Sequence, residues 1–134
     1  MSENLDLVRS IYADWERGDF SRGDWADPEI GFVLADGPDP SRSTGLAGMA
    51  AAWRNRRNDI EGMSVEAEEL RELDDGRVMV FVRNMGRARL SGVEIVQLGG
   101  GSTTAVFRIE AGRVTSLAIY WERSRALADL GLEG

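Results

Sequence analysis

The sequence contains no cysteine, no histidine and no lysine, so all 16 of its basic residues are arginine. Without His or Cys, the chain lacks Ser-His-Asp and Cys-His nucleophilic systems and the usual protein ligands of zinc. Without Lys, it lacks a Schiff-base residue and the lysine of a phosphate-binding P-loop. We therefore expect no metal and no cofactor. Any proton transfer must use Asp, Glu, Tyr or water, and a base acting near neutral pH would be a carboxylate whose pKa is raised by burial.

Positive charge and long apolar runs are also scarce. The 16 basic residues are outnumbered by 23 acidic ones, which gives a net charge of −7. There is no basic stripe, and no run approaches the roughly 20 apolar residues that span a bilayer, so we expect neither nucleic acid nor a membrane as a partner. The N-terminal stretch MSENLDLVRS is polar and acidic, unlike a secretory signal peptide. Together with the lack of cysteine, these features indicate a cytoplasmic protein.

The residues that are present indicate one folded domain over 1–134, because 43% of them are apolar. Apolar residues at helical spacing predict helices over 5–17 and 46–58. Shorter apolar runs predict strands over 29–34, 65–73, 77–89, 93–110 and 113–123, followed by a short closing helix over 126–132. Helices that precede antiparallel strands indicate an α+β fold, with the helices packed on one face of a curved sheet.

The segment ERGDFSRGDW, residues 16–25, contains Arg-Gly-Asp twice. Gly18 directly follows the first predicted helix, where glycine is common because it adopts the left-handed conformation without a steric penalty. Asp19 or Ser21 can cap a short helical turn that ends before Pro28. We therefore interpret both copies as the boundaries of local structure and not as an adhesion sequence.

Four stretches resemble a known family when they are taken in this order: VRSIYADWERGDF, WADPEIGFV, STGLAGMAAAW and GRVTSLAIYWERSRALADLGL. They are similar to the aromatic-lined first helix, the approach to the first strand, the start of the third helix, and the closing strand and tail of SnoaL-like proteins. This resemblance implies the NTF2-like cone, in which N-terminal helices pack on the concave face of a curved antiparallel β-sheet. That superfamily includes polyketide cyclases, ketosteroid isomerases, epoxide hydrolases and non-catalytic binding domains, so the fold alone does not define a function.

The catalytic residues of ketosteroid isomerases have no match in this sequence. The resemblance places their tyrosine at about Ile11 and their general base near Val33 or Leu34. It places their protonated aspartate near Ala105. All of these positions are apolar, so steroid isomerisation of that type is not expected. Limonene-epoxide-hydrolase-like enzymes use an Arg-x-Asp pair on a strand, whereas the Arg-x-Asp patterns here are the two Arg-Gly-Asp copies, which lie off the predicted strands.

The resemblance implies a pocket between the first and third helices and the concave face of the sheet. Aromatic residues that the predicted elements direct towards it are Tyr12, Trp15, Trp53 and Trp121. They would suit a flat apolar ligand, although aromatic residues at this spacing are also common as plain core. Arg57 follows Trp53 by one helical turn on the same stripe. It could meet an anionic ligand group at the pocket mouth or pair with a nearby carboxylate.

Three polar residues are candidates for catalysis. Asn84 continues the valine-rich face of the strand 77–89, which we expect to be concave, and there Asn84 or a tyrosine would hold a developing oxyanion. Glu94 shares a face with Val96, so it is the acid or base candidate if that face points inward, and a solvated or arginine-paired residue if it does not. Asp36 follows the first strand near the isomerase base position, but it is also a natural turn residue.

The outer face of the predicted sheet would carry Met79, Phe81, Ala118 and Tyr120. An apolar outer face on a single sheet layer needs cover, and the resemblance implies that a twofold partner can supply it. The sequence therefore predicts a homodimer through this face.

Two classes of function stay open. The first is an aromatic-lined pocket for a small hydrophobic or polycyclic molecule, with cofactor-free cyclisation or isomerisation if a buried carboxylate acts as the base. The second is a non-catalytic module for ligand binding or dimerisation. A pure protein-interaction domain, as a further form of this class, would have a filled cone with no cavity. A carboxylate that faces the cavity would favour the first class.

Overall fold

The computed structural model describes residues 3–19, 23–36, 40–73, 76–88, 91–93 and 101–132. These ranges contain α1 (Glu3–Glu16), β1 (Ala26–Leu34), β2 (Ser41–Thr44), α2 (Leu46–Asp59), β3 (Ile60–Glu72), β4 (Val78–Ala88), β5 (Ser102–Glu110), β6 (Arg113–Tyr120) and α3 (Arg123–Asp129). The strands form one curved sheet in the order β2-β1-β6-β5-β4-β3. Adjacent strands are antiparallel except β1 and β6, which are parallel. The α+β prediction is confirmed, with a mixed sheet in place of a wholly antiparallel one.

Most of the predicted elements are present with shifted ends. Between the first predicted strand and the second predicted helix, where no element was predicted, the chain forms β2, which pairs with β1 as an edge strand. β3 follows α2 without a gap, and β6 ends at Tyr120, where the chain enters α3. The long strand predicted over 93–110 corresponds to β5, and residues 94–100 lie outside the described ranges. Within those ranges, no helix is long and apolar enough to cross a bilayer.

The end of α1 is defined by a glycine that follows the helix and by a hydrogen bond between its last residue and β3. Gly18 follows the helix with a φ of 82°, a conformation that favours glycine, and its N–H donates to the carbonyl of Trp15 at 2.9 Å. The carboxylate of Glu16 accepts the backbone N–H of Ala67 at 2.9 Å, where the register of β3 against β4 shifts. β3 is an edge strand of the sheet, and an edge strand presents N–H groups that have no neighbouring strand to pair with. The first Arg-Gly-Asp copy therefore ends a helix, as predicted, and the predicted turn after it includes residues outside the described ranges.

The main core lies between the helices and the concave face of the sheet. The apolar stripe of α1 supplies Val8, Ile11, Tyr12 and Trp15, all buried. The alternating positions Val78, Val80 and Val82 of β4 belong to the same cluster. Successive side chains of a strand point to opposite faces, so the predicted concave face of β4 is confirmed.

The outer face of the sheet carries a second apolar cluster that α3 covers. Its buried members are Met79, Phe81, Val106, Tyr120, Ala126 and Leu127, and Ala118 packs beside them. The guanidinium of Arg123 lies 3.7 Å from the centre of the Phe81 ring. The sequence predicted that this face needs cover, and α3 of the same chain supplies part of it. A homodimer through this face stays a prediction, and α3 would then lie in or beside the interface.

Candidate ligand pocket

A small cavity lies between α1, α2 and the concave face of the sheet. Nine residues from six elements line it: Tyr12, Trp15, Trp53, Val65, Val82, Asn84, Thr103, Ala105 and Ile119. The cavity volume is about 10 Å³, which is room for about one water molecule. Three of the four aromatic residues expected around the pocket are therefore together, and in this conformation they nearly fill it.

Aromatic rings form the helical side of the cavity, with Trp15 at their centre. Its ring lies 4.9 Å from that of Tyr12, 5.1 Å from that of Trp53 and 6.0 Å from that of Trp25. The Tyr12–Trp15 pair is edge-to-face, with an angle of 77° between the planes, a favourable arrangement for aromatic quadrupoles. These two residues meet because they are one turn apart on α1. Trp53 reaches the cluster from α2 and also packs 5.8 Å from the ring of Phe32.

Asn84 and Thr103 provide the polar part of the sheet side. They are only 5% and 6% exposed, and the Nδ2 of Asn84 donates to the Oγ1 of Thr103 at 2.9 Å. The backbone N–H of Asn84 donates to the carbonyl of Gly101 at 2.8 Å. The structure thus places Asn84 on the concave face, where the alternation of β4 predicted it. Thr103 was not predicted, because a threonine within a strand is ordinary and only its period-two spacing from Ala105 indicates the same face.

The cavity wall is uncharged in the described part of the chain. Burial raises the pKa of the Tyr12 phenol above its ordinary value, and the negative charge of Glu16 raises it further. Tyr12 is therefore a neutral phenol at physiological pH. Ala105, at the position where the resemblance places the protonated aspartate of isomerases, lines the cavity with a methyl group. Within the described residues, no group of three or more acidic side chains could hold a metal ion.

Two other candidate residues, Asp36 and Trp121, lie away from this cavity. The carboxylate of Asp36 accepts the backbone N–H groups of Trp121 and Glu122, so it connects the end of β1 to the start of α3. Trp121 is half-buried at that junction and is not among the lining residues. Glu94 and the side chain of Arg57 lie outside the described residues.

A second, larger depression of about 400 Å³ lies between α1, the segment before β1 and the β5–β6 turn. Its wall includes Trp25, Asp24 and the ion pair between Asp14 and Arg17. Tyr12, Trp15 and Trp53 do not line this depression, and neither does the Asn84–Thr103 pair. The smaller cavity is therefore the better candidate for a ligand site, because it combines aromatic walls with buried polar groups.

Comparison with known proteins yields structural matches only. No protein-family model matches the sequence, and no curated protein matches it. Among solved structures, an NTF2-like protein of unknown function from Burkholderia pseudomallei has a TM-score of 0.75 at 20% identity. The match covers 96% of this chain and 97% of that one.

Two further solved structures were obtained with small molecules. One is a hypothetical protein with a ketosteroid isomerase-like fold from Catenulispora acidiphila in complex with trimethylamine. Its TM-score is 0.68 at 16% identity, and the match covers 96% of this chain and 94% of that one. The other is TerC co-crystallized with polyporic acid. Its TM-score is 0.71 at 18% identity, and the match covers 96% of this chain and 98% of that one. At these identities the likeness defines the fold alone. The chain has the NTF2-like fold, as its resemblance to SnoaL-like proteins predicted.

Proposed function

We propose that this protein binds a small, neutral and mostly apolar molecule in the cavity between α1, α2 and the sheet. The supporting observation is the combination of the aromatic walls with one buried polar pair, Asn84 and Thr103. Sites of this type gain affinity from apolar contact and orientation from a few polar groups. The complexes of similar folds with trimethylamine and polyporic acid support small-molecule binding by this fold and do not bear on the charge of the ligand.

A ligand larger than water requires one wall to move, and α2 is the wall suited to this movement. Among the described side chains of α2, two are buried, Met49 and Trp53, whereas α1 has five buried side chains. Moving α2 therefore disrupts fewer buried contacts than moving α1. Withdrawing the Trp53 ring would uncover about 150–250 Å² of surface, which costs about 4–6 kcal/mol at 25 cal/mol/Å². The ligand must replace those contacts. Flat aromatic or polycyclic molecules are therefore the expected class.

A thermal-shift screen with anthraquinones, steroids and terpenoids, and with fatty acids as the anionic contrast, tests this proposal. A ligand present at 100 times its Kd adds about 2.7 kcal/mol to the free energy of unfolding, which raises the Tm by several degrees in a domain of this size. Ala105→Val narrows the cavity and should reduce the shift of a hit. Ala118 packs on the outer face of the sheet, away from the cavity. Ala118→Val should therefore leave the shift unchanged. The absence of a shift with every ligand class would overturn the proposal.

A catalytic use of the same cavity needs a proton acceptor. None of the lining side chains in the described ranges is a carboxylate, which favours binding without chemistry. The catalytic alternative is a cofactor-free cyclisation or isomerisation in which Glu94 is the base and Asn84 holds the oxyanion. Glu94→Gln should then abolish turnover of a bound ligand and preserve its thermal shift. Unchanged turnover would remove Glu94 from the mechanism.

A further inference from the structure

We infer that the ligand of this cavity is neutral and carries a hydrogen-bond acceptor, such as a carbonyl oxygen, that binds the hydroxyl of Thr103. This inference rests on the proposed function and specifies its ligand class. It follows from the direction of one hydrogen bond and from the absence of charge on the described cavity wall.

The Asn84–Thr103 hydrogen bond determines what Thr103 offers to a ligand. The amide of Asn84 donates, so the Oγ1 of Thr103 is the acceptor. A hydroxyl also carries one hydrogen of its own, and that hydrogen must point away from the donating amide. The backbone N–H of Asn84 donates to the carbonyl of Gly101, which holds the main chain of β4 at this position, and the side-chain amide is oriented by its bond to Thr103. Thr103 can therefore act as an oriented donor on the sheet side of the cavity.

The wall also selects against charge. None of the nine lining residues carries a formal charge when Tyr12 is protonated, and burial favours that protonated state. An ionic group entering this cavity would lose its hydration without gaining a counter-ion from any of these nine side chains, which is strongly unfavourable. A neutral acceptor loses less hydration and recovers a hydrogen bond at Thr103. The preferred ligand therefore combines an aromatic body with a neutral oxygen.

Three probes of similar size separate these contributions: 2-acetylnaphthalene, 2-ethylnaphthalene and 2-naphthoate. Binding to the full chain is followed by tryptophan fluorescence and by thermal shift. One hydrogen bond is expected to make the acetyl compound bind about three- to tenfold more tightly than the ethyl compound. The naphthoate should bind most weakly of the three because it is an anion.

Adjacent threonines of β5 provide matched variants. Thr103→Val removes the hydroxyl and should abolish the preference for the acetyl compound, whereas Thr103→Ser retains the donor and should preserve it. Thr104→Val is the control, because Thr104 is 1% exposed and its side chain points to the opposite face of the same strand. It should preserve the preference despite the same chemical change.

The experiment gives different results if the ligand class is wrong and if the binding function itself is wrong. Equal binding of the acetyl and ethyl compounds to the wild type would overturn the ligand class and leave the binding function in place. The ligand class would also be overturned if Thr103→Val still preferred the acetyl to the ethyl compound. Tighter binding of the naphthoate than of the acetyl compound would overturn it as well. Failure of all three probes, together with no shift in the wider screen, would overturn the proposed function as well.

Discussion

Replacing Trp53 with alanine tests whether this side chain closes the cavity. Trp53 is 9% exposed and packs against the rings of Trp15 and Phe32 at 5.1 Å and 5.8 Å. Truncating a buried aromatic residue to alanine costs about 3–5 kcal/mol. Each kcal/mol lowers the Tm of a domain of this size by about 3–5 °C. We therefore expect the free energy of unfolding to fall by about 3–5 kcal/mol and the Tm by at least about 10 °C.

The same substitution should strengthen ligand binding. The apparent affinity of the wild type is reduced by the fraction of molecules in which the cavity is open. Without the indole ring, a ligand enters without displacing a packed side chain. The Tm increase caused by 2-acetylnaphthalene should therefore be larger for Trp53→Ala than for the wild type at the same ligand concentration. Differential scanning fluorimetry measures this increase, and urea denaturation with and without ligand gives the free energies.

Trp25→Ala is the matched control. Trp25 is 8% exposed and also packs against Trp15, at 6.0 Å, but it lines the open depression and not the small cavity. We expect a comparable loss of stability without a larger ligand shift. The reasoning is refuted if Trp53→Ala costs less than about 1 kcal/mol, a value below the range for buried aromatic residues. It is also refuted if the ligand stabilises both variants equally.

Three other expectations concern ionisation, the α3 junction and assembly. Burial raises the pKa of Tyr12 and of Tyr120, so the stability their neutral forms provide is present below about pH 10 and is lost as the pH rises towards the folded-state pKa values. At about pH 11, tyrosinate absorbance should be lower in the folded than in the denatured chain; equal values would contradict this. Asp36→Ala should lower the free energy of unfolding by about 1–2 kcal/mol. Asp36→Asn should lower it by less, because the asparagine retains an acceptor for Trp121 and Glu122. Equal losses for the two variants in urea denaturation would argue against this role of Asp36. Light scattering should give the mass of two chains, and a monomer mass at every concentration would contradict the homodimer.

The concave face could be predicted because it depends on residue spacing alone. Tyr12 and Trp15 share a helical face at a separation of three, and Val82 and Asn84 share a strand face at a separation of two. Neither fact requires knowledge of the partner that each face meets. The parallel pairing of β1 with β6 could not be predicted in this way, because strand partners are chosen by contacts distant in sequence.

The outer face shows why a correct pattern can leave its partner open. The alternation that puts Met79 and Phe81 opposite the valines of β4 indicates an apolar surface that needs cover. It does not indicate whether a second copy or the same chain provides that cover. In the structure, Ala126 and Leu127 of α3 provide part of it. Asp36 poses the same difficulty, since a turn residue and an acceptor for distant backbone N–H groups have identical local sequences.

The closed cavity and its uncharged wall favour the same class of function. A catalytic site acts through groups that are oriented before the substrate arrives. Here the described wall offers neutral hydrogen-bonding groups and no carboxylate, and Trp53 must move before a ligand larger than water enters. The binding energy used to displace Trp53 is not available to stabilise a transition state. A binding protein tolerates this loss and gains selectivity from it, because only ligands that replace the contacts of the indole ring bind well. Turnover that depends on Glu94 would be the result that reverses this preference.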